Sequence, residues 1–160
     1  MVKMLTIGEV ASLASRLTGR RCTGRQVRYL LVTHGLGTES AARPRGQTRL
    51  FGVLDVALVC LARRLRAAGL SPIVIRTVLT YRRDDIIRAW RAGSRVAIVV
   101  DGLQGTLQPL LKPTPKGAVG MSLPDVWRGL DAEVDRVSRN RPSVWMYRKV
   151  PVHAVPRSTV

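Results

Sequence analysis

Apolar residues recur every three or four positions through residues 6–92, a spacing that predicts a series of amphipathic helices. The first helix is expected to begin at Thr6. Thr6 and Glu9 fit a capping box, in which each side chain accepts a backbone N–H from the other residue. The apolar stripe of this helix is Val10, Leu13, Ala14 and Leu17. Residues 18–21 are polar and include Gly19, so they predict a turn.

The second helix is expected to begin at Thr23, which fits a second capping box with Gln26. Helical spacing places Val27, Leu30 and Leu31 on the inward face. The residues left on or near the outer face are Arg25, Gln26, Arg28 and Tyr29. Gly35 or Gly37 should end the helix, because glycine readily adopts the conformation of a helix C-terminal cap.

Residues 37–49 are rich in Gly, Pro, Ser, Thr and Arg, which predicts a loop or hairpin whose return is anchored by residues 50–51. A third helix is expected over residues 53–68, ended by Gly69. Leu54, Leu58, Leu61 and Leu65 are expected to lie on one stripe of it. A fourth helix should begin with Ser71 as N-cap and Pro72 at the first helical position, and continue towards Gly93. The residues expected to pack inward from it are Ile73, Ile75, Val78 and Leu79.

The pattern changes after Gly93. Residues 95–100 are β-branched and predict a strand, followed by a turn at Asp101 and Gly102 and a partner strand over 106–111. Residues 112–120 contain two prolines and two glycines and predict a loop. Residues 124–138 predict one helix, with its apolar face on Val126, Leu130, Val134 and Val137. Residues 140–160 predict one short strand at 144–150 and a loose tail.

These elements predict a mainly α fold. An N-terminal helical domain is expected over residues 1–82, a connecting helix over 83–93, and a small α+β module over 94–160. The chain has 160 residues, enough for one ordinary domain or two very small ones. Its hydrophobic content of 46% supports a real core, and the 4% of aromatics means that the core must be mainly aliphatic.

The net charge of +17 points to a polyanionic partner. Lys and Arg gain affinity for DNA by releasing its condensed counterions, although RNA, an anionic membrane, an acidic protein or a merely solvated basic surface would also suit such a charge. Residues 1–70 hold 12 basic and 3 acidic residues, which is +9, and residues 71–160 hold 15 and 7, which is +8. The second half is therefore also a candidate for contact with nucleic acid.

Few residues suggest catalysis or metal binding. Cys22 and Cys60 lie in no CxxC or Cys/His cluster, so neither a structural zinc site nor a disulfide framework is expected. No phosphate loop, nucleophile elbow or His/Cys constellation is present, and we expect no enzyme activity and no cofactor. The sequence shows neither an apolar run of about 18 residues nor a signal-peptide pattern, so we expect a cytoplasmic protein that does not bind membranes.

The first eighty residues resemble the N-terminal domain of the MerR family of transcription regulators. The matching pieces are IGEVASLA at 7–14, VRY at 27–29, GL at 35–36, R-x-x-G-x-x-R-L-F at 43–51, and RRLRAAGLSPIVIRTVL at 63–79. The resemblance implies a winged helix-turn-helix, in which the second helix enters the major groove of DNA and a basic wing lies on the adjacent backbone.

The resemblance also assigns roles to individual residues. Those implied to face the bases are Thr23, Arg25 and Gln26. Those implied to contact the backbone are Arg28, Tyr29, Arg43 and Arg49, with Arg45 and Gln47 as additional polar candidates in the wing. The chemistry agrees, since arginine can pair with guanine and glutamine with adenine through two hydrogen bonds, whereas wing arginines suit phosphates.

The chain departs from the family in three respects. Residues 81–93 are too short for the long dimerisation helix usual in the family, and predicted strands follow them. The cysteines that metal-sensing members carry around that helix are absent, and Leu30 and Leu31 stand where a glutamate is usual. Effector sensing and the family's dimer geometry therefore do not follow from the resemblance.

The sequence thus predicts a double-stranded DNA-binding transcription regulator, associated with the nucleoid. We expect a homodimer on a two-fold site, with residues 94–160 as the candidate for self-association. One alternative is an excisionase or architectural factor that bends DNA without altering transcription. A second is an antitoxin-like protein that binds an acidic partner as well as its own promoter.

Overall fold

The computed structural model describes residues 4–37 and 49–140. Helices make up 58% of these residues, and a small antiparallel sheet completes the fold. The helices are α1 (Ile7–Thr18), α2 (Gly24–Arg28), a π-helical turn (Tyr29–Thr33), α3 (Val53–Ala67), α4 (Pro72–Ala92), α5 (Leu123–Trp127) and α6 (Leu130–Arg139). The strands are β1 (Val96–Asp101), β2 (Gln104–Pro109) and β3 (Val119–Ser122).

The structure confirms the predicted N-terminal caps of the first two helices. At α1, the Thr6 N–H donates to Glu9 Oε2 at 2.7 Å and the Glu9 N–H donates to Thr6 Oγ1 at 3.3 Å. Gly19 ends α1 with φ +66°, a left-handed conformation that favours glycine. Thr23 and Gln26 form the equivalent reciprocal pair at α2. Helical structure then continues through the π turn to Thr33, so α2 and this turn together are called helix two below.

Phe51 anchors the chain where it returns to the core, as predicted. Its N–H donates to the Leu5 carbonyl at 2.8 Å, and the Leu5 N–H donates to the Phe51 carbonyl at 2.7 Å. The loop or hairpin predicted at 37–49 falls largely on residues 38–48, and the strand predicted at 144–150 falls within residues 141–160. Both segments lie outside the described residues.

Helix α3 is the centre of the fold, and its buried surface extends well beyond the predicted stripe, of which Leu58, Leu61 and Leu65 are buried. Every residue from Asp55 to Ala62 is buried, as is Leu65, whereas Leu54 is only half-buried. The reason is that α1, α4, α5, α6 and the π turn of helix two all pack around α3. Asp55 is tolerated inside because its carboxylate accepts the Gly52 N–H at 2.8 Å at the start of the helix.

Helix α4 begins as predicted, with the Ser71 hydroxyl accepting the Val74 N–H at 3.3 Å and Pro72 in the first turn. The prediction that Ile73 packs inward is wrong, because its side chain is 64% exposed. Successive helical residues are rotated by about 100°, so Ile73 and the buried Ile75 point to nearly opposite sides. The helix runs unbroken through residue 82, where the sequence predicts a domain boundary.

The strands form a sheet in the order β2-β1-β3. The predicted hairpin is present, with Gly102 and Leu103 as its turn and Asp101 opposite Gln104. The loop predicted at 112–120 is shorter than expected, because its last two residues begin β3. This strand pairs with the free edge of β1, with Val100 opposite Val119. The pairing is non-local, so the short sequence of β3 does not predict it.

The helix predicted at 124–138 is two helices. Gly129 adopts φ +78°, which interrupts helical geometry between α5 and α6. The predicted apolar residues Val126, Leu130 and Val134 are nevertheless buried. Trp127 of α5 is half-buried and meets Trp90 of α4 edge to face, with ring centroids 4.8 Å apart. One hydrophobic cluster consequently includes residues from Leu5 to Val134.

Gly105 sets how closely β2 approaches α4. A Cβ at this position would overlap Cγ1 of Val78. We therefore expect Gly105→Ala to lower the free energy of unfolding by about 1–3 kcal/mol, as overpacked core substitutions do. Gly8 in α1 has open space around it, so Gly8→Ala should raise stability by roughly 0.5–1 kcal/mol. Urea denaturation measures both variants, and a Gly105→Ala protein as stable as Gly8→Ala would contradict the close packing.

Candidate nucleic-acid interface

Ser15 of α1 binds the chain just before helix two. The Ser15 hydroxyl accepts the Cys22 N–H at 2.8 Å and lies 2.8 Å from the Ala11 carbonyl and 3.2 Å from the Cys22 carbonyl. Cys22 immediately precedes the cap of helix two, so these bonds tie the start of helix two to α1. On the inner side of helix two, Val27 and Leu31 are buried in the core.

The predicted contact residues of helix two all lie on its outer side. Thr23, Arg25, Gln26 and Arg28 are exposed, and Tyr29 is 54% exposed. Within the described chain, Arg25 and Arg28 have no side-chain hydrogen bond or ion pair, so both guanidinium groups are available to a ligand. Gln26 is not equally available, because its Oε1 accepts the Thr23 N–H at 3.0 Å. Bidentate pairing of Gln26 with adenine would have to break that cap.

The second half of helix two is wound as a π turn. The His34 N–H donates to the Tyr29 carbonyl at 3.1 Å, five residues earlier. This wider turn brings the two rings together, edge to face, with centroids 4.2 Å apart. π turns are rare and are frequent at functional sites, and here the turn packs the Tyr29 ring against His34.

A groove separates helix two from the end of α3 and the start of α4. Its volume is about 520 Å³. Arg25 and Arg28 lie on one wall. The opposite wall carries Arg63, Arg66 and Arg76, none of which sequence reasoning selected as a site residue. Two signals could have identified them. Arg63 and Arg66 have the i, i+3 spacing of one helix face, and Gly69 marks the reversal that returns the chain towards Arg76.

Five arginines are among the residues that line the groove. No Asp or Glu lines it among the described residues. Two of its lining residues each have one buried side-chain atom, Arg63 Nε and His34 Nε2, without a hydrogen-bond partner in the part of the chain that the structure describes. The excess of arginine over carboxylate in its lining favours an anionic ligand.

Some basic residues around the groove already hold the fold. Arg63 Nη2 donates to the Arg21 carbonyl at 2.6 Å, and Arg64 Nη2 donates to the Leu17 carbonyl at 3.1 Å. Both bonds fasten the end of α1 and the turn after it to α3. Arg66 Nη1 donates to the Leu70 carbonyl at 3.0 Å. Arg76 has no such tie among the described residues, which leaves its whole guanidinium for a ligand.

Arg83 of α4 clamps the chain just beyond helix two. Its Nε donates to the Leu36 carbonyl and its Nη2 to the Gly37 carbonyl, each at 3.1 Å. Leu36 is buried, and Gly37 approaches the backbone of Leu31 so closely that a Cβ there would lie 3.0 Å from the Leu31 carbonyl oxygen. Arg83 thus positions the point from which the predicted wing departs.

Of the four predicted wing residues, the structure describes Arg49. Arg43, Arg45 and Gln47 lie outside the described residues. Arg49 is half-buried, two residues before the anchor at Phe51. The winged form of the fold, and the phosphate contacts assigned to these four residues, therefore stay predictions.

The remaining candidate residues have structural surroundings. Asp85 pairs with Arg82 at 3.3 Å and with Arg88 at 2.7 Å, and Glu133 pairs with Arg16 at 3.5 Å and with Arg136 at 3.0 Å. Within residues 4–37 and 49–140, no group of three His, Cys, Asp or Glu side chains could hold a metal ion. None of the helices described is long and apolar enough to cross a membrane. Comparison with family models, curated proteins and solved structures found no match to this chain.

Both cysteines are buried and free. Burial raises the pKa of the Cys60 thiol to about 12, against a smaller opposite effect of Arg64 and a small further rise from Cys22. Burial also raises the pKa of Cys22 above its usual 9.0, although Arg63 opposes the shift. Because the thiolate is the reactive form, neither environment favours redox chemistry.

We expect both thiols to resist alkylation by iodoacetamide in the folded protein at pH 8 and to react once the protein is unfolded. For Cys60, the scarcity of thiolate alone should slow the reaction roughly a thousandfold relative to a thiol of ordinary pKa. The variants Cys22→Ala and Cys60→Ala separate the two thiols by mass spectrometry. Rapid modification of Cys22 in the folded chain would contradict its protected environment.

Arg83→Ala should loosen the end of helix two. Loss of its two backbone hydrogen bonds should cost about 1–3 kcal/mol of unfolding free energy. It should also accelerate amide hydrogen exchange in residues 34–37 more than elsewhere. Arg91→Ala, on the same helix but exposed and without a described side-chain partner, is the matched control. Equal exchange profiles in the two variants would show that Arg83 does not hold this segment.

Proposed function

We propose that this protein binds double-stranded DNA in a sequence-dependent manner and acts as a transcription regulator. The observation that carries the proposal is the groove beside helix two, with arginines on both walls and no carboxylate among its described lining residues. Phosphates would satisfy this charge, and arginine is well suited to them because it offers several donors in a fixed plane. The MerR-like residues quoted above support the same assignment.

In this proposal, the first turn of helix two faces the base edges. Arg25 is the principal reading residue, because its guanidinium is exposed and makes no bond that reading would have to break. Thr23 and Gln26 serve first as the cap that fixes the start of the helix. Arg28 and Tyr29 approach the backbone on one side of the groove, and Arg76 does so on the other. The wing residues and a dimer on a two-fold site remain part of the proposal.

Selection from a random DNA pool with the full chain identifies the bound sequence, and fluorescence anisotropy then gives its affinity. Arg25→Ala should weaken binding to the selected site by about 1–3 kcal/mol and relax the preference at one base position. Arg76→Ala should weaken binding to selected and random DNA alike and reduce the salt dependence of log K by about one unit. Arg91→Ala, which lies outside the groove, is the matched control for the loss of one charge.

Equal losses for selected and random DNA in Arg25→Ala would contradict the reading role of Arg25. An unchanged salt slope in Arg76→Ala would contradict its phosphate contact. A reporter gene placed behind the selected site tests the regulatory role. Binding that bends the DNA without changing transcription would favour the architectural alternative.

A further inference from the structure

A second cleft lies between the latter half of α4 and the β1–β2 hairpin, among residues that the proposed DNA contacts do not use. Its volume is about 520 Å³, within the range of roughly 300–1,000 Å³ typical of small-molecule sites. Gly105 lets β2 lean on α4 at Val78, whereas the small side chains of Ala89 and Ala92 leave space farther along. The cleft is therefore a consequence of where this sequence places its small residues.

Three charged side chains define the polar side of this cleft. Asp85 accepts from Arg82 Nη1 at 3.3 Å and from Arg88 Nη2 at 2.7 Å, and Arg82 Nε also donates to the Gly105 carbonyl at 2.5 Å. These bonds hold the two guanidinium groups in place. They leave other N–H donors of both arginines unpaired among the described residues, since each guanidinium has five. Two positive charges and one negative charge give the group a net charge of +1.

The other side of the cleft is apolar. Ala89 and Ala92 of α4 face Val96 and Leu107 of the sheet, and Thr106 adds a hydroxyl. An apolar surface beside a few fixed polar groups is the usual composition of a small-molecule site. The ligand that suits both sides has an apolar body and one anionic group.

We propose that this cleft binds a small organic anion, a carboxylate or phosphate joined to an apolar group. The anionic group takes the unpaired N–H donors of Arg82 and Arg88, while Asp85 keeps the two guanidinium groups oriented. The apolar body covers Ala89, Ala92 and Leu107. No bond is made or broken in the ligand.

Helix α4 connects the cleft to the proposed DNA-binding side. Arg82 and its neighbour Arg83 lie on the same turn of α4. Arg82 is bonded to β2, whereas Arg83 is bonded to the chain beyond helix two. A ligand that shifts Arg82 therefore acts on the helix that positions the end of helix two. This effector role rests on the proposed function, but the binding of the anion does not.

Titration of the full chain with phenyl phosphate, followed by ¹H–¹⁵N NMR, tests the site without DNA. We expect saturable shifts at the amides of residues 89, 92, 106 and 107, and no such shifts with benzylamine, which has a similar body and the opposite charge. Arg88→Gln should weaken phenyl phosphate binding roughly tenfold or more, the loss expected for a hydrogen bond to a charged group. Arg88 is 75% exposed, so this variant should fold.

Arg91→Gln removes one charge from the same helix outside the cleft and should leave the affinity unchanged. Equal weakening in Arg88→Gln and Arg91→Gln would show attraction to net charge and overturn the site. Shifts confined to the groove around Arg63 and Arg76, or no saturable shift, would also overturn it.

DNA affinity measured with and without saturating phenyl phosphate, at equal ionic strength, tests the effector role. A change of affinity in the wild type that is lost in Arg88→Gln supports it, and an unchanged affinity overturns it. If the chain binds phenyl phosphate at the cleft and no DNA at all, the proposed function fails while the ligand site stands. The two failures are therefore distinguishable.

Discussion

The burial of the middle of α3 on every side is the constraint on which the rest of the structure depends. A helix with eight consecutive buried residues, Asp55 to Ala62, has no face left for water and must be covered completely. Helix α1 and the π turn cover one part of it, α4 another, and the short helices α5 and α6 the remainder. The later part of the chain is therefore needed to complete the core on which helix two rests, because Leu123, Leu130 and Val134 belong to that core.

Helix α4 contacts both the chain beyond helix two and strand β2. Through Arg83 it holds the end of helix two, and through Arg82 it holds β2. Both side chains donate to backbone carbonyls. The positions of the chain beyond helix two and of β2 therefore depend directly on α4. A displacement of α4 would consequently move both the end of helix two and β2. Such a shared element is the physical requirement for coupling between the proposed DNA-binding groove and the proposed ligand cleft.

The local signals of the sequence predicted helix starts well. Thr6 with Glu9, Thr23 with Gln26, and Ser71 with Pro72 each act within one turn, so their effect does not depend on distant residues. The errors arose where distant elements decide the outcome. The all-round burial of α3 is completed by α5 and α6, which lie some sixty residues later in the chain. The third strand exists because β1 offers it an unpaired edge, and neither fact is visible in a short window.

The candidate site shows the same division between local and distant causes. Arg25 and Arg28 could be selected from the sequence, because the cap of helix two determines which residues its first turns expose. Arg63, Arg66 and Arg76 could not, since only the packing of α3 and α4 brings them opposite helix two.

Net charge alone also overstates how many basic groups are available to a ligand. Arg63, Arg64, Arg82 and Arg83 donate to backbone carbonyls and serve the fold. The side chains of Arg25, Arg28 and Arg76 make no such hydrogen bond in the described chain. If DNA is the ligand, its affinity should therefore depend on these few arginines far more steeply than on the average basic residue of the surface.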